Sequence, residues 1–259
     1  MVDFWPFATN YCTDLHSMKD FERDSQFLTT QWTQILASRG ENADSTSEAL
    51  VALCQNYHEP VLVFIRNQCG DLEKARDLCQ GFFERLIETK FYRKARPERG
   101  RFRSFLLTAV KNYLLNEHRD ASRQKRGAAS LHFSIEGDDL AEPELVAGIP
   151  PDALFDQQWA TTVFKGVWKL LRAEYGQLDQ LDRFEAFRPT IMNPGKAFPY
   201  AEVAEQLGMS ESGAKSAAFR LKSRFRELFR EVVAQLVDHP NEVDAELQYL
   251  IEAMSFSNR

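Results

Sequence analysis

The segment 198–225, FPYAEVAEQLGMSESGAKSAAFRLKSRF, constrains the fold most, because it has the pattern of two helices joined by a tight turn. Pro199 suits a first helical turn, where its missing N–H would have no helical acceptor. Gly208 stands where a left-handed helix stop is wanted, and Ser210 can cap the next helix. That helix has an apolar inner face and a basic outer side. The layout indicates a helix-turn-helix that reads a DNA major groove, with an ordinary helical hairpin as the alternative.

The rest of the chain is also patterned as helix. Strand alternation is absent, so the sequence predicts an all-α fold whose aromatic stripes form the core. Shorter helices are expected over 178–187 and 243–254, with a loop over 188–195. Pro60 falls inside one of the long helices. Apolar residues recur at three- and four-residue spacing over 50–65, 75–87, 102–114 and 154–171.

Charge is strongly segregated along the chain. The net charge is −6, but between residues 90 and 126 twelve Lys or Arg stand against three acids, so this block is a candidate for binding nucleic acid. From 130 to 160 there are seven acids and no Lys or Arg. Residues 127–151 also hold three Gly and three Pro, which predicts an acidic, flexible linker. We therefore expect two all-helical domains joined by this linker.

Several functional classes find no support in the sequence. The five histidines are scattered, and no phosphate-cradling Gly-rich loop, GxSxG or HExxH motif occurs, so we expect no metal, no cofactor and no enzyme activity. The four cysteines lack paired spacing and are interpreted as reduced thiols. There is no secretory signal pattern and no apolar run long enough to span a bilayer, which predicts a cytoplasmic protein.

Three stretches stand in a distinctive order: EKARDLCQGFFERLIE at 73–88, RPERGRFRSFLLTAVKNYLLNEHRDASRQKRG at 96–127, and YAEVAEQLGMSESGAKSAAFRLKSRF at 200–225. Together they resemble a bacterial RNA polymerase sigma factor of the extracytoplasmic-function type, group IV of the sigma-70 family. The first is similar to the helix that docks on the clamp helices of the largest polymerase subunit. The second resembles the segment that melts the minus-ten promoter element, and the third resembles the reader of the minus-thirty-five element. The ends, at 27–36 and 246–255, look like extensions of a planctomycete-like branch.

The resemblance implies a division of the chain into parts. A sigma region 2-like domain of three to four helices is expected over 27–127, for polymerase binding and promoter melting. A sigma region 4-like helix-turn-helix domain is expected over 152–237. The acidic linker covers 128–151, and terminal extensions cover 1–26 and 238–259.

The resemblance also implies three sets of contact residues. Polymerase binding is expected at polar positions off the apolar stripe, namely Asp77, Gln80, Gly81, Glu84 and Arg85. Promoter melting is expected to use cations and two amides that lie four residues apart: Arg101, Arg103, Lys111, Asn112, Asn116, Arg119, Arg123, Lys125 and Arg126. The upstream element is expected to contact Ser212, Lys215, Ser216, Phe219, Arg220, Lys222 and Arg224. The expected partners are core RNA polymerase, double-stranded and locally melted promoter DNA, and an anti-sigma protein.

Glu117 and Asp120 depart from the family pattern, because many relatives carry aromatic or basic residues there. These acids repel phosphate and would weaken promoter opening. Two alternatives stay open: a stand-alone helix-turn-helix regulator that never touches polymerase, and a sigma-fold interaction protein without promoter activity. A further hypothesis is that the acidic tail, 238–252, covers a basic DNA-binding face.

Overall fold

The computed structural model describes residues 43–96, 100–124, 150–193, 195–237 and 239–255. The regular structure of these residues is helical and includes no strand, so the all-α prediction is confirmed. Short 3-10 turns occupy Phe91–Lys94 and Pro240–Glu242. The helices are α1 (Ala43–Cys69), α2 (Leu72–Glu88), α3 (Phe102–Gln124), α4 (Pro151–Gln177), α5 (Leu181–Phe187), α6 (Pro189–Met192), α7 (Tyr200–Gln206), α8 (Glu211–Ala234) and α9 (Val243–Ser255).

Local turn chemistry sets several of the helix ends. Gly70 adopts a left-handed φ of 71° after α1, and the Asp71 carboxylate accepts a hydrogen bond from the Lys74 N–H at 2.7 Å to cap α2. Pro60 lies within α1, which continues through it. The expected loop over 188–195 instead contains the short helix α6, because its apolar side chains are buried and its N-terminal proline suits a first turn.

Helix α4 packs against three of the other helices, α1, α8 and α9. Its most extensive packing is with α1, and it also contacts α8 and α9. Trp159 of α4 stacks on Tyr57 of α1, with ring centroids 4.4 Å apart and planes 3° from parallel. The rings of Phe155 and Phe64 pack edge-on, with their centroids 6.5 Å apart. All four rings are buried. Aromatic pairs of this kind contribute about 0.5–1.5 kcal/mol beyond their area burial.

The later turns of α4 pack on the helix-turn-helix. The ring centroids of Phe164 and Trp168 lie 5.3 and 5.8 Å from that of Phe225 of α8. The Trp168 ring centroid also lies 5.1 Å from that of Phe184 of α5. The buried side chains therefore form one continuous cluster. The aromatic face of α4 contributes to both parts of this cluster, and the division of the chain into two domains stays a prediction. Most of the predicted linker, 128–151, lies outside the described residues.

Replacing Trp159 with alanine tests this shared core. Trp159→Ala removes a buried ring that joins α4 to α1, and we expect the free energy of unfolding to fall by about 3–5 kcal/mol. Val51→Ala, at a half-exposed position of α1, is the control and should cost under about 0.5 kcal/mol. Urea denaturation followed by circular dichroism measures both. A loss near that of the control would contradict the packing of α4 on α1.

Candidate nucleic-acid and polymerase interfaces

The turn between α7 and α8 has the geometry of a helix-turn-helix. Gly208 adopts a left-handed φ of 62°, and the Met209 N–H donates to the Ala204 carbonyl at 2.9 Å. The Ser210 hydroxyl accepts from the Gly213 N–H at 3.1 Å and so caps α8. The two caps expected from the sequence are therefore present, and they fix the direction in which α8 leaves the turn.

One face of α8 points to solvent and combines cations with an aromatic ring. The opposite face is buried through Ala214, Ala218, Leu221 and Phe225. Phe219 is 67% exposed, an unusual position for a large apolar side chain and one that suits contact with a partner. Five predicted DNA-contact residues share this exposed face at three- and four-residue spacing: Ser212, Lys215, Ser216, Phe219 and Arg220.

Lys215 of this face and a further predicted cation of α8, Lys222, have neighbours of their own. Lys215 pairs with Glu211 one turn earlier at 2.6 Å, and its ammonium lies 5.9 Å from the centre of the Tyr200 ring. Exposed pairs of this kind contribute only about 0.3–0.5 kcal/mol, so a phosphate can replace Glu211. Lys222 is half-buried, and burial followed by the charge of Arg226 lowers its pKa.

Arg224 was predicted to contact DNA, but the structure places it in an ion cluster within the protein. Its Nε and Nη2 donate to the two carboxylate oxygens of Glu174 on α4, at 2.9 and 2.6 Å. Its Nη1 donates to Glu227 and Glu231 at 3.2 and 3.1 Å. Hydrogen bonds to the three acids raise the pKa of Arg224, and the bond to Glu174 has the largest effect. Arg224 thus ties α8 to α4, and each of its three guanidinium nitrogens donates to an acid within the protein.

Arg101 and Arg103, predicted to act in promoter melting, face the C-terminal helix α9. Arg103 is only 6% exposed and donates a hydrogen bond to Glu246, which is 1% exposed. Its Nε lies 3.7 Å from Asp156 of α4. Arg101 Nε lies 2.7 Å from the second oxygen of Glu246, an ion pair whose angle is too poor for a hydrogen bond. Arg103 is therefore inaccessible to DNA in this conformation.

The charge on Arg103 is retained despite its burial. Burial lowers the pKa of Arg103, but Glu246 outweighs that effect and the net shift is upward. Tyr249 covers both guanidinium groups, with its ring centre 4.3 Å from Arg103 Cζ and 5.5 Å from Arg101 Cζ. Burial, followed by a hydrogen bond to Asp156, raises the pKa of Tyr249 to about 12. Helices α3, α4 and α9 therefore meet at the buried guanidinium group of Arg103.

The remaining melting candidates lie further along α3. Lys111 donates to Asp152 of α4 at 2.6 Å, so this cation is also paired within the protein. Asn112 and Asn116 are half-buried, and Arg119 is exposed. The backbone of the last turn of α3 is described but the Arg123 side chain is not, and two further candidates lie outside the described residues, Lys125 and Arg126.

The outer side of α2 presents a polar surface. Asp77, Gln80 and Glu84 are exposed, and the Gln80 amide donates to Glu84 at 2.9 Å. Arg85 is half-buried at the edge of this surface. Gly81, also predicted to contact polymerase, instead faces α3. A Cβ at this position would lie 2.6 Å from the hydroxyl oxygen of Tyr113, so the glycine allows the close approach of α2 to this ring.

The acids that pair with these basic residues were not predicted individually from the sequence. Glu174, Asp152 and Asp156 had no local signal, because their partners lie on other helices. Glu246 had one. It stands in the buried stripe of α9, between Val243 and the following apolar residues, and a carboxylate in such a stripe needs a cationic partner.

Among the described residues, no group of His, Cys, Asp or Glu is arranged to hold a metal ion. None of the helices described is both long and apolar enough to cross a membrane.

The fold and its surfaces define a helical protein with a helix-turn-helix and a separate basic helix. Residues 53–124 match the family model described as Sigma-70 region 2. The match runs from the middle of α1 through α2 to the last residue of α3. This segment, 72 of the 259 residues, is therefore similar to Sigma-70 region 2. No curated protein matches the chain, and no solved structure matches it.

The contact between Gly81 and Tyr113 couples the effects of substitutions at these two positions on stability. Gly81→Ala gains up to about 1 kcal/mol of helix propensity. That gain is offset by the clash with the Tyr113 hydroxyl, so we expect no stabilisation. In a Tyr113→Phe background the nearest ring carbon is 3.8 Å away, and the same substitution should stabilise by about 1 kcal/mol. Chemical denaturation of the four proteins measures the coupling, and equal effects in both backgrounds would contradict the contact.

Proposed function

We propose that this chain is a sigma factor that binds core RNA polymerase, recognises promoter DNA and initiates transcription. The match of residues 53–124 to Sigma-70 region 2 carries the proposal, because it covers both α2 and α3. At a finer level we assign the protein to the extracytoplasmic-function group, in a planctomycete-like branch with terminal extensions. The helix-turn-helix after an acidic segment supports that assignment.

Polymerase docking is assigned to the outer surface of α2. Asp77, Gln80 and Glu84 form a polar row on a helix whose other side is buried, and this rigidity lowers the entropy cost of binding. Arg85 borders the row. The partner would be the clamp helices of the largest polymerase subunit, and charge on this surface would steer the encounter.

Promoter contacts are assigned to two helices. On α8, Lys215 and Arg220 would grip phosphates, while Phe219 would contact a thymine methyl group in the major groove. Ser212 and Ser216 would hydrogen bond to base edges or to the backbone. On α3 and directly after it in the sequence, four basic residues would hold the backbone of melted DNA, namely Arg119, Arg123, Lys125 and Arg126. The two amides of α3, Asn112 and Asn116, would contact bases.

One observation favours a second candidate, a sigma-fold protein that holds polymerase without starting transcription. Arg101, Arg103 and Lys111 are each paired with an acid inside the protein, so these three described cations are engaged in this conformation. A stand-alone regulator is less well supported, because it gives no role to the Sigma-70 region 2 match.

Retention on core RNA polymerase tests the docking surface. We expect the protein to be retained, and Asp77→Arg/Glu84→Arg to weaken retention by about tenfold or more, because both positions are exposed on the proposed contact surface. Asp182→Arg/Glu252→Arg makes the same charge change at exposed positions elsewhere and should bind normally.

The same complexes are then used for run-off transcription on fragmented genomic DNA from the source organism. Retention with discrete start sites supports the sigma factor. Retention without start sites supports the second candidate. No retention of the unaltered chain contradicts both.

Charge reversal on α8 tests the DNA-reading surface separately. Lys215→Glu/Arg220→Glu should weaken duplex DNA binding and lower the slope of log affinity against log salt by about two, because two phosphate contacts are lost. Lys165→Glu/Arg183→Glu reverses two exposed cations on other helices and is the matched control. Fluorescence anisotropy over a salt series measures both. Equal losses in the two variants would show that only overall charge matters.

A further inference from the structure

Two of the cations assigned to promoter melting are held by the C-terminal helix. Arg101 and Arg103 both contact Glu246, and no other carboxylate described near them is as deeply buried. We propose that α9 is a brake on promoter melting, in which Glu246 occupies the guanidinium groups that would otherwise bind DNA phosphate. This inference rests on the proposed function, because it concerns cations at the start of α3, the helix assigned to promoter melting.

A carboxylate is a close chemical substitute for phosphate at such a site. The planar guanidinium group presents its N–H donors as a fork that fits either anion. One oxygen of Glu246 accepts from Arg103, and the other lies 2.7 Å from Arg101 Nε. A single side chain of α9 thus neutralises two cations at the entry to α3.

The rest of the junction excludes a competing phosphate. Tyr249 covers Arg103 from one side with a ring contact of 4.3 Å, and Asp156 approaches Nε at 3.7 Å. The Tyr249 hydroxyl is hydrogen bonded to Asp156, which connects α9 to α4. Since Arg103 is 6% exposed, DNA reaches it only after α9 has moved.

The size of α9 suits a segment that can detach. It spans 13 residues, a length at which an isolated helix is marginal in water, so its stability depends on docking. Five apolar side chains supply that docking: Val243, Leu247, Leu250, Ala253 and Met254. At its beginning, Asp244 pairs with Arg230 of α8, but both groups are fully exposed, so this pair adds little.

A neutral substitute at position 246 tests the brake in the full-length protein. Glu246→Gln leaves Arg103 buried without its main counter-charge, which favours undocking of α9. We expect faster hydrogen exchange in residues 243–255. Affinity for a forked DNA oligonucleotide of mixed sequence should rise by about tenfold, and the salt slope should steepen by about one, since two cations become available at a single strand.

Glu252→Gln is the matched control. It removes the same charge from an exposed position of the same helix and should change neither hydrogen exchange nor affinity beyond a small electrostatic gain. Glu246→Asp keeps the charge and should retain most of the brake. Adding Arg101→Ala/Arg103→Ala to Glu246→Gln should abolish the gain in forked DNA binding.

Tyr249→Leu is the second variant, for use if Glu246→Gln does not fold. It removes the ring and the hydroxyl but leaves the Glu246 pair, and we expect a smaller rise of about threefold in forked DNA affinity.

Faster exchange in α9 without a gain in affinity would overturn the brake and leave Glu246 with a structural role. Unchanged exchange would also overturn it. Duplex binding through α8 and retention on polymerase are measured in parallel. If these persist while the forked DNA result fails, the brake alone is wrong. If no variant binds any DNA, the proposed function fails as well.

Discussion

The stack of Trp159 on Tyr57 is the contact on which the arrangement of the other helices depends. It seats α4 against α1, and the same helix then presents its later aromatic residues to the helix-turn-helix. Asp156 lies about one turn before Trp159, so the stack also sets where this carboxylate meets Arg103. The placement of the helices and the pairing of the buried charge are thus two results of one packing contact.

The predicted DNA-contact cations fall into two groups: those paired with acids of other helices, and those that lie exposed at the surface. At the beginning of α3 the cations are matched by acids from α4 and α9, whereas the exposed face of α8 keeps Lys215 and Arg220 at the surface. A net charge of −6 is therefore compatible with a DNA-reading surface. The hypothesis that the acidic tail covers a basic face agrees with the contact of Glu246. Because that pair is buried, salt screens it poorly, and raising the salt concentration is a weak way to open it.

Local chemistry explains which features were predictable from the sequence. Helical spacing and the caps at Asp71 and Ser210 depend on residues a few positions apart, and the structure contains them. The Sigma-70 region 2 match supports the resemblance over α2 and α3. The roles of Gly81 and Arg224 were not predictable, because a helical wheel identifies a polar side but not the helix that covers it. Glu246 was the exception, since its place in an apolar stripe implied a partner.

The close approach of Gly81 to Tyr113 has a mechanical consequence. With no side chain on one partner and a buried aromatic ring on the other, the backbone of α2 directly meets Tyr113 of α3 at this point. A force applied to the outer surface of α2 would therefore be transmitted to α3 as a displacement rather than absorbed by side-chain motion. The stiffness of this single contact would let an event at one surface be felt at the ion pairs near the start of α3.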